Sequence, residues 1–133
     1  MVDEKSLSIT GIDPSQPLRY AIPEKQALHQ CFQFMDELLQ KTDCHKVVVV
    51  GHNAWFDLAF LKAAAQRVGF DRLPFHSFTV FDTATLAGVF LGETVLARAL
   101  KEAHIPFNIM AAHAALYDAQ KTAELFCRLV NQV

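Results

Sequence analysis

A histidine and two carboxylates carry the chemistry available to this sequence. Asp57 closes the run Gly51-His52-Asn53-Ala54-Trp55-Phe56-Asp57, while His113 and Asp118 bracket His113-Ala114-Ala115-Leu116-Tyr117-Asp118. Carboxylates are the oxygen donors that hard divalent cations take, and a neutral imidazole accepts a proton from an attacking water. Brought together, the three would suit a cation-bound water and hydrolysis. Each residue also has a plainer reading. Asn53 is a good helix cap, and Asp57 and Asp118 could merely offset the dipoles of the helices they open, worth at most about 1 kcal/mol each. His113 could be a surface histidine. Asp82 follows a second strand, where capping the next helix is its simpler role.

The elements that must position these groups are legible in the pattern. Lys46 to Val50 carries four consecutive β-branched valines, which predicts a fully buried parallel strand. A helix follows Asn53 through Phe56, Phe60, Leu61, Ala64 and Val68 and stops at Gly69. The loop from Asp71 to His76 leads to a second strand, Ser77 to Phe81. Strand, helix, strand over so short a span is a βαβ unit, and ligand sites form where such strands feed helix starts.

The flanks are helical. Glu4 to Ile9 allows a short helix, and Gly11 to Pro17 is turn chemistry. Pro23-Glu24 opens an amphipathic helix through Ala27, Leu28, Cys31, Phe32, Met35, Leu38 and Leu39 to about Lys41. Helices are predicted for Asp82 to Leu91 and for Thr94 to Ala103, before a break at Ile105-Pro106-Phe107 and a last helix carrying Asp118. Phe32, Met35, Val48, Val50, Leu61, Val80, Leu86, Phe126 and Val130 are expected in one core cluster.

Composition narrows the function classes. The 133 residues suit one domain, 1–133, and 52% hydrophobic residues exclude a disordered chain. A net charge of −2 gives no electrostatic footprint for tight binding to long duplex nucleic acid. Cys31, Cys44 and Cys127, without C-x-x-C spacing, argue against a disulfide framework and for a reducing, cytoplasmic setting. No apolar run approaches a membrane span. Phe56 beside Asp57, and Phe78 on the second strand, could stack nucleobases or simply pack in the core.

The run His52-Asn53-Ala54-Trp55-Phe56-Asp57 resembles the second motif of the DEDD superfamily of 3′→5′ exonucleases, and His113 through Asp118 resembles the third motif of its DEDDh branch. Phe78 to Thr83 and Gly11 to Pro14 are similar to the corresponding family segments. Within the branch, Pro74-Phe75-His76-Ser77-Phe78 and the tail from Tyr117 to Asn131 resemble the ribonuclease T family. That resemblance implies an α/β, ribonuclease H-like exonuclease fold. It also implies hydrolysis of single-stranded RNA or DNA at 3′ ends with two magnesium or manganese ions. His113 would be the general base, Asp118 a direct metal ligand, and Asp57 a ligand partly through water. Asn53, Phe56 and Phe78 would bind substrate, and Lys46 and Arg67 would belong to a basic patch used across a homodimer.

The departures are equally specific. The family's first motif, Asp-x-Glu, occurs nowhere in this sequence. Ile9 occupies a family aromatic position, and Lys5 stands where an acidic residue is expected. The chain thus reads as the C-terminal part of such a fold, a βαβ unit with flanking helices and without the N-terminal strands, weak or inactive alone. One rival is a non-catalytic dimerisation or nucleic-acid-binding module. Another is a zinc hydrolase built on His52, His113, Asp57 and Asp118, disfavoured because carboxylate-rich sites prefer magnesium or manganese. A dinucleotide-binding fold lacks its G-x-G-x-x-G turn.

Overall fold

Valine after valine favours extended backbone, and residues 47–51 form β1 (Val47–Gly51), paired in parallel with β2 (Phe75–Asp82). In the computed structural model, which describes residues 4–108, 110–112 and 114–131, α3 (Ala54–Val68) connects the two strands. This is the expected βαβ unit. Around it lie α1 (Glu4–Thr10), α2 (Glu24–Thr42), α4 (Thr83–Leu91), α5 (Leu96–Glu102) and α6 (Ala115–Val130). The mixed α/β architecture, with a parallel two-stranded sheet among the described residues, is that of a partial ribonuclease H-like fold.

Two cores flank the sheet, where the sequence suggested one. Leu28, Phe32, Leu58, Ala65 and Phe75 are buried together, with Met35, Val47, Val49, Leu61 and Val80 packed against them. The second cluster joins α4, α5 and α6 through Ala87, Leu100, Leu125 and Leu129, with Leu86 at its margin. The pleat explains the division, since successive side chains of a strand point to opposite faces. Val47 and Val49 face α2 and α3, and Val50 turns toward Leu96 and Ala115 on the other side.

Three expected core positions shift accordingly. β1 is half-buried rather than fully buried, and Val50 is 38% exposed, because β1 pairs with β2 alone among the described residues. On α6 the buried stripe is Thr122, Leu125 and Leu129. Val130, one residue and about 100° further round the helix, is therefore exposed. Phe126 is half-buried and stacks on Phe81 with ring centroids 5.7 Å apart.

β2 also begins earlier than the pattern suggested, at Phe75, and it carries a bulge. Val47 pairs with Phe75 and Val49 with Val80, so Val48 alone faces the residues from His76 to Thr79. Beyond the bulge the register is regular and ends with Gly51 beside Asp82. That pairing brings the start of α3 next to the start of α4.

Candidate active site

Gly51 ends β1 for a steric reason. A Cβ there would lie 3.0 Å from Asp57 Oδ2 and 3.1 Å from Ala54 Cα, so the missing side chain lets α3 fold back over the strand end. Asp57, in the first turn of α3, is thereby held above the C-terminal end of β1. Asp118 occupies the first turn of α6, which packs on β1. The two carboxylates, from different helices, line one cleft of about 440 Å³ together with Val50, Gly51, His52 and Leu96. Both sit at the positive end of a helix dipole.

Asn53 does not cap α3 as expected. Its φ of 63° is left-handed and its side chain makes no capping hydrogen bond. An N-cap needs extended backbone, and a side chain on a left-handed residue is not aimed at the following amides. Asp82 takes over from the neighbouring strand. Its Oδ1 accepts from Asn53 N at 2.7 Å and Ala54 N at 3.3 Å. The same carboxylate caps α4, accepting from Ala84 N, Thr85 N and the Thr85 hydroxyl. One carboxylate thus starts two helices. Partial burial alone would raise its pKa, but the Thr85 hydroxyl and the amides of Asn53, Ala54 and Thr85 hold it below the usual carboxylate range.

Removing this latch should be measurable. Asp82→Ala is expected to cost about 2 kcal/mol at neutral pH, from two lost caps and stranded amides. Because the folded pKa is depressed, the stabilisation is present above the unfolded value of about 3.9 and is lost as pH falls through the folded one. In urea titrations the gap between Asp82→Asn and the unaltered chain should therefore narrow steadily below about pH 4.

His52 locks the same corner to the α4–α5 connection. Its Nε2 donates to the carbonyl oxygen of Thr94 at 2.8 Å, and its Nδ1 lies 3.0 Å from Thr83 Oγ1. Thr83, fully buried, also lies 3.1 Å from Gly51 O, its single hydroxyl proton shared between that carbonyl and the imidazole. The sequence offered His52 as part of the second-motif run and of the rival zinc site, and Asp82-Thr83 as a helix cap, but not the hydrogen bonds that join His52 to Thr83 and Thr94. The signal was present in Asp82-Thr83, a capping pair at the end of the strand parallel to the one carrying Gly51.

The aromatic candidates separate. Phe56 is 66% exposed and packs beside Phe60, with ring centroids 4.7 Å apart. With Asp57 and Arg67 the pair lines a second cleft, so Asp57 borders both cavities. Phe78 lines a different groove with Trp55, Phe81 and Thr85. Arg67 is held by Glu24 through bonds of 2.9 and 2.6 Å, and Lys46 donates to Leu73 O at 3.5 Å. His113 lies outside the described residues. Among those described, no three histidine, cysteine or acidic side chains converge to hold a metal ion. The two cleft carboxylates fit a hard cation in kind, as oxygen donors, but fall short of its usual six or more ligands in number.

Comparison with known proteins follows the same motifs. Residues 11–130 match the family model described as the 3′-5′ exoribonuclease Rv2179c-like domain. The chain is 50% identical over 132 residues to ribonuclease T of Baumannia cicadellinicola subsp. Homalodisca coagulata, which covers 99% of this chain and 61% of that relative. It is 50% identical over 131 residues to ribonuclease T of Marinobacter nauticus, covering 98% of this chain and 59% of that protein. Against ribonuclease T of Yersinia enterocolitica the identity is 48%, over 98% of this chain and 61% of the relative. The chain spans about three fifths of the length of the curated relatives it matches. A match that spans β1, α3, β2 and the Asp118 helix makes this chain a member of the Rv2179c-like 3′-5′ exoribonuclease domain family, and one similar to ribonuclease T.

Proposed function

We propose that this chain supplies the Asp57 and Asp118 half of a ribonuclease T-type site that removes nucleotides from 3′ ends of single-stranded RNA or DNA. The observation carrying the proposal is the shared cleft: two carboxylates from two helices, bordered by an exposed phenylalanine at Phe56. In this reading Asp118 and Asp57 hold magnesium or manganese, two ions in the complete site. When bound, such ions acidify a water and take up the charge developing on the phosphate. Phe56 and Phe78 offer ring faces to the terminal bases, Asn53 helps bind the strand, and His113 accepts the proton of the attacking water. Lys46 and Arg67 serve the strand backbone in a homodimer, though Arg67 must first leave Glu24. The setting is cytoplasmic. Among the described residues no single helix is long and apolar enough to cross a membrane.

Binding tests the reading without requiring turnover. With manganese present, fluorescence anisotropy should show preference for a single-stranded RNA 3′ end over a blunt duplex. Phe56→Ala should weaken binding about tenfold, the loss of one base stack, and Asp118→Asn should remove its manganese dependence. Equal binding of duplex and single strand would overturn it. The second reading, a non-catalytic dimerisation or nucleic-acid-binding module, draws on the absence of a three-ligand cluster among the described residues. Tight RNA binding indifferent to manganese and to Asp118→Asn would select that module.

A further inference from the structure

The bulge in β2 has an internal scaffold. Where Val48 alone faces the residues from His76 to Thr79, the looped-out amides lose their ladder partners. His76 replaces them. Its Nδ1 accepts from Thr79 N at 3.0 Å and lies 3.5 Å from Phe78 N, so a single ring nitrogen gathers both amides of the turn. An acceptor at Nδ1 leaves the ring proton on Nε2. The imidazole also meets the Phe78 ring edge-on, centroids 4.5 Å apart at 85°. From α3, Lys62 Nζ donates to Ser77 O at 3.2 Å and anchors the bulge tip. Phe78 stands on this frame 67% exposed, its ring steadied by an imidazole rather than by burial.

We propose that His76 is a positioning residue: it holds the bulge and the Phe78 ring ready to receive a stacked base. An exposed phenylalanine on an unsupported loop would have to be ordered when the base arrives, and that cost would be subtracted from the stacking gain. Fixing the backbone through Nδ1 removes most of it beforehand. The inference rests on the reading that Phe78 stacks a nucleobase, and it assigns His76 no contact with substrate.

The experiment is anisotropy of a 5′-fluorescein-labelled oligoadenylate titrated with the 133-residue chain and its variants. Phe78→Ala should weaken binding about tenfold. His76→Phe, which keeps an aromatic ring but has no acceptor, should weaken it about threefold to tenfold. His76→Asn, whose amide oxygen can stand where Nδ1 stood, should restore affinity to within about twofold. The double variant His76→Phe/Phe78→Ala should bind no worse than Phe78→Ala alone, because a positioning role vanishes with the ring it positions. His76→Ala replaces His76→Phe if the latter does not fold. If Phe78→Ala binds like the unaltered chain, or the unaltered chain does not bind, the stacking reading itself falls. If Phe78→Ala weakens binding but His76→Phe does not, His76 is no positioning residue and the stacking reading stands. A His76→Asn variant as weak as His76→Phe, or a double variant weaker than Phe78→Ala, overturns the inference in the same way.

Discussion

The 133-residue chain, supplied with magnesium or manganese, is expected to trim a labelled single-stranded RNA at least about a thousandfold more slowly than the ribonuclease T relatives. The cleft on this chain holds Asp57 and Asp118, and no Asp-x-Glu occurs in the sequence to add a second pair. Two carboxylates and water make a loose cage for a hard cation, and a second cation beside it would lack protein ligands. Hydrolysis of this kind depends on cations both for the nucleophile and for charge in the transition state, so the loss falls on the chemical step. End-labelled oligonucleotides resolved on a gel measure it, with Asp118→Ala as the control for contaminating nuclease. A version extended at its N-terminus by an Asp-x-Glu-bearing sheet should trim, and its His113→Ala counterpart should not. Robust trimming by the 133-residue chain, lost in Asp118→Ala, would show that two carboxylates suffice.

Phe75→Ala is expected to destabilise the fold by about 3–5 kcal/mol in urea titrations, a large share of what a domain of this size possesses. Phe75 is fully buried, its ring edge-on to Phe32 at 5.7 Å, and it seats β2 against α2 and α3. Truncation leaves a ring-sized cavity between a strand and two helices that can only partly collapse. Val50→Ala is the contrast: at 38% exposed it should cost about 1 kcal/mol or less. Equal costs at the two positions would contradict the two-core arrangement.

Linear pattern determined much of this protein. The valine run, the phase of the helix after Asn53 and the turn signals at Gly69 and Gly92 specify strands and helices, because hydrophobic period and backbone punctuation act locally. The carboxylates were legible for the same reason. Asp57 and Asp118 each fall at a helix start that the pattern locates by itself, and the fold sets both helix starts on one cleft. Asp82 was legible as the cap of α4.

What the sequence left open depends on partners far apart along the chain. Asp82 also caps α3 because parallel pairing sets it beside Gly51, a register that no local pattern specifies. Asn53 has the composition of a cap, but its left-handed backbone follows from the tight fold-back over Gly51. The bulge at His76 arises because Phe75 and Val80 must both fill one core while the residues between them exceed what Val48 can face. The same βαβ frame places Phe56 and Phe78 in different clefts, although both were read as base-stacking candidates. Residue types and periods are local properties of a chain. Register, phase between elements and the sharing of one carboxylate by two helices are properties of packing, and tertiary structure alone decides them.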